Sequence, residues 1–366
     1  MATRNLHDEP FDEGTLVKLG IFEDYLQAWI PTFVMAHVPK ISIFDFFAGP
    51  GFDLAGTPGS PIRLLNKIKE NSENILKQGI HVDVHLNEFD RKKHGLLEEA
   101  CSQFLVENPE LRQSLNLYFY REDFDILFAK ILPKIGARPS LVYLDQNGIK
   151  FFAPRHLRAL EKLNQTDFLC FLSASFLWRF GEREEFRKHL KLDMAKIKEQ
   201  PYKSVHRNVV KQMKDHLSST KDLKLYPFSI QKGANIYGII FGASHPQAVE
   251  KFLDIAWRIN NINGEANFDI DDDAGKRQGN LFESNSTKLQ MFDQLLREKI
   301  LSGQIKNNSD AYSHAHAEGH PGRHASKLLI KMKKDGEIAF EGRSPLVNYK
   351  QIFKNRRIVE FVRQNK

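Results

Sequence analysis

The chain has 366 residues, 41% hydrophobic and 11% aromatic, which is enough to bury a sizeable core and too apolar for a disordered polymer. Its formal charge is +7, and its two cysteines, Cys101 and Cys170, are isolated in sequence, which excludes a disulfide framework or a cysteine-built zinc or iron–sulfur site within these residues. No apolar run reaches the roughly 20 residues of a membrane-spanning helix. The polar, mixed-charge stretch Met1–Pro10 does not read as a secretory signal, so the expected location is the cytoplasm.

Leu16–Val34 carries apolar residues at helical spacing (Leu19, Phe22, Leu26, Trp29, Ile30), with Pro31 and Pro39 expected to interrupt or end it. Ile41–Phe47 is an apolar, β-branched and aromatic run of strand length. It breaks into Gly49-Pro50-Gly51, where two glycines let backbone approach a ligand. An irregular loop follows through Gly56, Pro58 and Gly59, and Ser60-Pro61 reads as an N-cap with proline at the first helical position. Strands are expected at His81–Glu88, Leu115–Tyr120, Ser140–Asp145 and Asp167–Leu172. Helices are expected at Arg91–Val106, Ile126–Ile135 and Pro154–Leu163 between them. This alternation predicts a mostly parallel sheet with helices on both faces. Arg179–Gln200 reads as a charged helix. Leu223–Ile230 and Ile236–Phe241 read as an antiparallel edge hairpin, and Pro246–Ile259 as a helix.

Each of the first four strands ends at or just before an acid: Asp45, Glu88, Asp123 and Asp145. In a doubly wound sheet such residues face the crevice at the carboxyl edge, where ligands bind. The two oxygens of Glu88 match the two donors of a ribose diol, and Asp123 suits an exocyclic adenine amine. The long interval between Gly51 and the next helix argues against a dinucleotide, whose pyrophosphate wants a helix N-terminus directly behind the glycines.

Asp45-Phe46-Phe47-Ala48-Gly49-Pro50-Gly51 resembles motif I of class I S-adenosylmethionine-dependent methyltransferases. Four features together resemble, more narrowly, the three-Cys-motif partner (TcmP) family. These are Tyr25-Leu26 in the leading helix, the Phe-Ala-Gly-Pro-Gly turn, Gly59-Ser60-Pro61, and Gly279-Asn280-Leu281-Phe282 entering the tail. The resemblance implies a Rossmann-like methyltransferase fold that binds S-adenosylmethionine. It also implies a separately encoded partner with a three-cysteine motif like that of radical S-adenosylmethionine enzymes. On the same resemblance, Asp45, Phe47, Ala48, Gly49 and Gly51 would line the methionine and ribose, with Glu88 on the ribose.

A reaction centre is expected after the fourth strand, at Asp145-Gln146-Asn147-Gly148, with Asp145 and Asn147 as the candidate catalytic residues. Amino-methyltransferases of this fold class carry Asp/Asn-Pro-Pro-aromatic there, and here Gln146 and Asn147 replace both prolines. Neither cysteine lies in a loop suited to a cytosine-attacking nucleophile. Phe151, Phe152, His156, Phe176 and Trp178 are candidates to stack an extruded base.

Residues 261–280 read as a linker between a domain at 1–260 and one at 281–366. Asp269-x-Asp271-x-Asp273 begins like a calcium loop, but Ala274 and Asn280 stand where that loop needs Gly and Glu, so no metal is expected. Thr287–Leu301, Ser309–Gly319 and a basic stretch after Pro321 read as three helices. Glu337–Phe340 and Leu346–Ile352 read as a two-stranded wing, completing the order of a winged helix-turn-helix. From Pro321 to Lys366 there are twelve Lys/Arg against four Asp/Glu. Arg323, Lys327, Lys331, Lys334 and Arg343 are therefore candidates to meet DNA, RNA or the protein partner. His314, His316, His320 and His324 are expected on polar helix surface. Two functions follow: a methyltransferase acting on or near nucleic acid, or a non-catalytic adaptor that docks the partner onto it.

Overall fold

The computed structural model describes residues 10–146, 153–184, 191–218, 222–273 and 286–364. The chain forms two compact units, residues 1–245 and 246–366. No helix among the described residues is long and apolar enough to cross a membrane.

The first unit is built on a seven-stranded sheet of order β3-β2-β1-β4-β5-β7-β6. Its strands are β1 (Lys40–Asp45), β2 (His81–Asn87), β3 (Leu115–Tyr120), β4 (Ser140–Leu144), β5 (Thr166–Leu172), β6 (Lys224–Lys232) and β7 (Asn235–Ala243). The first five are parallel, and β7 is antiparallel to both β5 and β6, giving the expected hairpin edge. Pro227 is accommodated in β6 because that strand lies at the sheet edge.

The strand order reverses between β1 and β4. Right-handed crossovers on either side of that point place their helices on opposite faces. α2 (Ser60–Glu70), the short α3 (Ser72–Lys77) and α4 (Arg91–Glu107) follow the steps from β1 outward, whereas α5 (Phe124–Gly136) and α6 (Pro154–Glu161) lie on the return. A sheet covered twice needs apolar residues on both faces, which is why β1 and β4 are buried almost throughout.

α1 (Glu13–Val34) is capped by Asp12, which accepts from Thr15 N at 2.9 Å. It runs through Pro31 instead of stopping there. Phe22 stacks on Tyr143 of β4 at 4.0 Å. Tyr25 Oη and Trp29 Nε1 donate to buried Asp167 of β5 at 2.8 and 3.0 Å. Phe22, Tyr25, Leu26, Trp29 and Ile30 are all buried; at roughly 1.5–3 kcal/mol per large apolar side chain they fasten α1 over the sheet. On the other face Phe46, just past β1, packs on Phe124 and Phe128 of α5 at 5.3 and 5.7 Å.

α7 (Ala174–Phe180) ends at Gly181, so the charged stretch is not one continuous helix. A further helix is described as α8 (Met194–Lys198), and residues 185–190 lie outside the described set. α9 (Val205–Asp215), which the apolar spacing did not single out, packs on β6 and β7.

The second unit contains α10 (Pro246–Ile259), α11 (Lys288–Leu301), α12 (Asn308–Ala317) and α13 (Gly322–Lys334), with the short antiparallel pair β8 (Ile338–Ala339) and β9 (Val362–Arg363). α10 belongs to this unit by its contacts. Residues 260–273 are folded onto themselves: Asn260 Nδ2 donates to the carbonyls of Ala266 and Phe268 at 2.8 and 3.0 Å, and Asn263 is fully buried. The partner of β8 is Val362–Arg363, not the expected Leu346–Ile352. Pro345 and the left-handed Leu346 (φ 55°) stop that segment from extending, and it closes into a π-helical turn at Lys350–Lys354.

Candidate functional site

Phe47, Ala48, Glu88, Asp123 and Asp145 come together around one cavity of about 320 Å³ at the carboxyl edge of β1–β4, where the strand order reverses, and Asp45 is not in its wall but is bonded to the wall residue Ser60. Its wall also holds Phe11, Lys18, Ser60, Asn87, Phe89, Glu122 and Phe124. Gly49 and Gly51 are not in the wall; they shape the turn behind it, with φ of 66° and 96°. A side chain at Gly51 would also bring its Cβ to 3.0 Å from that of Ala100.

The loop after Gly51 is pinched into a closed ring. Gly59 N donates to Gly51 O at 2.8 Å, and Asp53 sits inside it, accepting from Ala55 N at 2.9 Å and Thr57 N at 2.7 Å. Asp53 also accepts from Phe11 N at 2.7 Å, which holds Phe11 in the cavity wall. Burial opposes the charge on Asp53, but these backbone donors prevail and hold its carboxyl below the usual range.

The ring brings the start of α2 directly behind the glycine turn, contrary to the expectation from loop length. Ser60 is not the N-cap. Gly59 takes that position, and the Ser60 hydroxyl donates to Asp45 Oδ2 at 2.6 Å. Asp45 is thus tied to the first residue of α2 through that residue's side chain. Asp45 is 1% exposed and also accepts from Phe47 N at 3.1 Å. Burial lifts its pKa to about 7, with Ser60 and Phe47 pulling the other way and the charges of Asp145 and Glu88 adding to the rise.

Glu88 accepts from Gly49 N at 3.1 Å through one oxygen and from Asp90 N at 2.8 Å through the other. Each oxygen keeps a lone pair for a ligand, since a carboxylate accepts about four hydrogen bonds. Asp123 caps α5, accepting from Asp125 N at 2.9 Å. Asn87 is a residue the sequence reading missed. Its amide donates to Phe46 O and Glu122 O, and its carbonyl accepts from Glu122 N, all at 3.1 Å, joining the ends of β1, β2 and β3.

Asp145 pairs with Lys18 of α1 at 2.5 Å, and Lys18 is 6% exposed with its ammonium 4.4 Å above the Phe171 ring. Nothing in the sequence around Lys18 distinguished it from any other helical lysine. The candidate Asn147, together with Phe151 and Phe152, lies outside the described residues. His156 belongs to the core: its ring meets Phe124 and Phe128 edge-on, and Nε2 lies 2.7 Å from Asp125. Phe176 and Trp178 pack on Phe180 and Tyr202, not on the cavity, whose aromatic wall is Phe11, Phe46, Phe47, Phe89 and Phe124. Both cysteines are buried, and burial pushes the Cys101 thiol up to about 12.

In the second unit, Lys327, Lys331 and Lys334 are exposed along one face of α13, with Ile330 between them at 47% exposure. Arg323 is tied to Asp254 of α10 by an ion pair. Arg343 lines a surface groove with Arg356 and Arg357. The four histidines are not on polar surface. His314, His316, His320 and His324 are 1–9% exposed, turned inward from α12, α13 and the turn between them. His320 stacks on Phe292 at 4.1 Å, His324 meets Trp257 edge-on at 4.5 Å, and the two Nδ1 atoms are 3.0 Å apart. Burial lowers His316 and His324 to about 4 and His320 to about 2.

No family model matches the chain, and no curated protein does. Among solved structures, one that it resembles is a putative class I S-adenosylmethionine-dependent methyltransferase from Listeria monocytogenes, at 10% identity and a TM-score of 0.30. The match covers 67% of this chain and 64% of that one, so the chain spans just under two thirds of its length. A likeness that slight says nothing of activity or cofactor. What stands on the chain's own structure is a mostly parallel, doubly wound α/β sheet with an acid-lined cavity at its switch point.

Proposed function

We propose that the first unit binds S-adenosylmethionine in the cavity at the ends of β1–β4 and that the protein is a class I methyltransferase-like protein. The carrying observation is the charge of the wall: Glu88, Glu122, Asp123 and Asp145 against Lys18 and Lys93. Such a wall favours a ligand with cationic and hydrogen-donating groups and opposes one with a pyrophosphate.

The residues fit the cofactor's chemistry. Glu88 has acceptor capacity for a ribose diol, Asp123 has a free oxygen edge for an amine, and Phe124 and Phe47 offer ring faces to adenine. The bound cofactor supplies an electrophilic methyl group; the chain's part is to hold it and exclude water. Calorimetry with S-adenosylhomocysteine and, separately, NAD tests the reading. Binding of the first and not the second is expected; binding of NAD alone would sink it.

The ion pair between Asp145 and Lys18 favours a second reading, a non-catalytic adaptor, because a carboxylate held by a lysine is a weak acceptor for a target amine. Transfer of a labelled methyl group to nucleic acid would exclude it. In either reading the second unit is a winged helix. Its Lys327–Lys331–Lys334 face supports contact with a phosphate backbone, and the three-cysteine protein is a partner to be sought by co-purification from the cytoplasm.

A further inference from the structure

We propose that α4 and the loop after Gly51 form a self-complementary surface on which a second copy of this chain docks. The two α4 helices lie antiparallel about a two-fold axis at Leu96. The pairing does not depend on what the cavity binds.

The fold uses little of α4. Of its 17 residues only Leu97, Cys101 and Phe104 are buried. The outer face of such a helix is ordinarily polar. Here Leu96 is 45% exposed, Leu54 in the neighbouring loop is 70% exposed, and Phe89, just before the helix, is 69% exposed. An open groove runs between helix and loop, walled by Phe52, Leu54, Ile62, Leu96 and Phe104. Single exposed apolar residues are ordinary, whereas several around one groove mark an interaction surface.

The charges on α4 also run against its own dipole. Arg91, Lys92 and Lys93 stand in the first turn, where cations are disfavoured, and Glu107 stands in the last, where anions are. Asp90 offsets part of this by capping the helix, accepting from Lys93 N at 2.9 Å. Among the described residues, Arg91, Lys92, Lys93 and Glu99 enter no ion pair. A lone chain gains nothing from that order. An antiparallel neighbour of the same sequence sets each basic end against the other's acids, and dipole against dipole.

The spacing fixes the register. Lys92, Leu96, Glu99 and Gln103 fall at i, i+4, i+7 and i+11, one face of the helix, and all four line the groove. An axis through Leu96 sets the two Leu96 side chains together and puts Lys92 and Lys93 of each copy beside Glu99 of the other. Each Glu99 then stands six residues from its own counterpart, roughly 9 Å along the helix at 1.5 Å per residue, so like charges stay apart. Gly95 adjoins Leu96 on the same face. A methyl group there would meet open space, so the chain's own packing does not require glycine, and glycine weakens an exposed helix relative to alanine. Where two helices cross, it lets their backbones approach closely. The contact is isologous and closes at two copies. Phe89 and Lys93 also stand in the cavity wall, so the second copy borders the mouth of the site.

The test is sedimentation velocity on the full chain over roughly 1–200 µM, the range in which a small interface dissociates. A monomer–dimer equilibrium is expected, weakened at least about tenfold by Leu96→Asp. Lys92→Glu and Glu99→Lys should each weaken self-association about tenfold, because each sets like charges opposite one another. Mixed in equal amounts, those two variants should pair with each other as tightly as the unmodified chain pairs with itself, since each supplies the charge the other lacks. Mixing cannot repair a folding defect, so recovery separates a lost contact from a lost structure. A monomer at every concentration would overturn the proposal and leave the face to a different protein. So would a dimer indifferent to Leu96→Asp, or two charge variants that do not pair when mixed.

Discussion

In the first unit buried ionisable groups lie at or just behind open space: Lys18 stands in the wall of a cavity of about 320 Å³, and Asp45 is bonded to the wall residue Ser60. In the second, His316, His320 and His324 are closed in among the rings of Tyr312, Phe292 and Trp257. Burial raises the pKa of Asp45 as it lowers those of the three histidines, and of these four groups Asp45 is the one bonded to a residue of that cavity's wall. Perturbed titration by itself therefore does not mark a site; a perturbed group beside a cavity does. The two regions also lean in opposite directions with pH. Asp45 folded holds its proton to about 7, so between the ordinary carboxylate value of 3.8 and 7 the folded state binds more protons than the unfolded, and its contribution to stability falls as pH rises. The histidines fold neutral, so below their ordinary 6.5 the unfolded chain binds more protons, and their contribution falls as pH drops.

The largest expected effect is acid unfolding of the second unit. Each of the three histidines removes up to about 1.4 kcal/mol per pH unit between 6.5 and its folded value, so together they cost on the order of several kcal/mol by pH 5. Denaturant titrations at pH 7.5 and pH 5, followed by hydrogen exchange in α11–α13, should show the loss there. A unit equally stable at both values would break the contrast. Next in size, Asp45→Asn should stabilise the first unit at pH 8, on the order of 2 kcal/mol, and by nothing measurable at pH 4. A stabilisation that does not fade with acid would show that the carboxyl is not held protonated.

Smaller still, Glu88→Ala should weaken S-adenosylhomocysteine binding about tenfold, roughly 1.4 kcal/mol, because it removes both the ligand acceptor and the anchor of Gly49. Calorimetry beside a melting curve separates that from unfolding. The smallest effects concern the basic face. Lys331→Ala should lower the salt slope of DNA binding by about 0.9, whereas Arg323→Ala, whose guanidinium is committed to Asp254, should leave the slope unchanged and reduce stability by up to about 1 kcal/mol. The reverse pattern in fluorescence anisotropy would return Arg323 to the surface and take Lys331 off it.

The sheet could be read from the chain because its signals are local. A buried strand ending in an acid at Asp45, then others at Glu88, Asp123 and Asp145, sets both the parallel order and the edge where the acids gather. What could not be read depends on where distant side chains meet. Ser60 has the chemistry of a cap, but the closed ring from Gly51 to Gly59 turns its hydroxyl onto Asp45. Lys18 is one basic residue in a long helix until α1 lies across β4. His320 and His324 sit next to a proline and basic residues, which suggests surface, and only the aromatic partners Phe292 and Trp257 reveal an interior. The second strand of the short hairpin was misplaced because Leu346–Ile352 is apolar enough for a strand, and its one left-handed residue is invisible in composition.

Asn87 carries a consequence for the order in which the molecule assembles. Its side chain bonds to groups 41 residues before it and 35 after it, so those bonds exist only once three strand ends have met. Contacts of such long sequence separation form late, after the chain has met the entropy of closing the loops between them. The acids at the sheet edge therefore come into position in the same cooperative event that completes the sheet, and no partly folded chain presents them to a ligand. A ligand that binds this cavity only in the native state adds to the equilibrium stability of the first unit by mass action, in step with the logarithm of its concentration over its Kd.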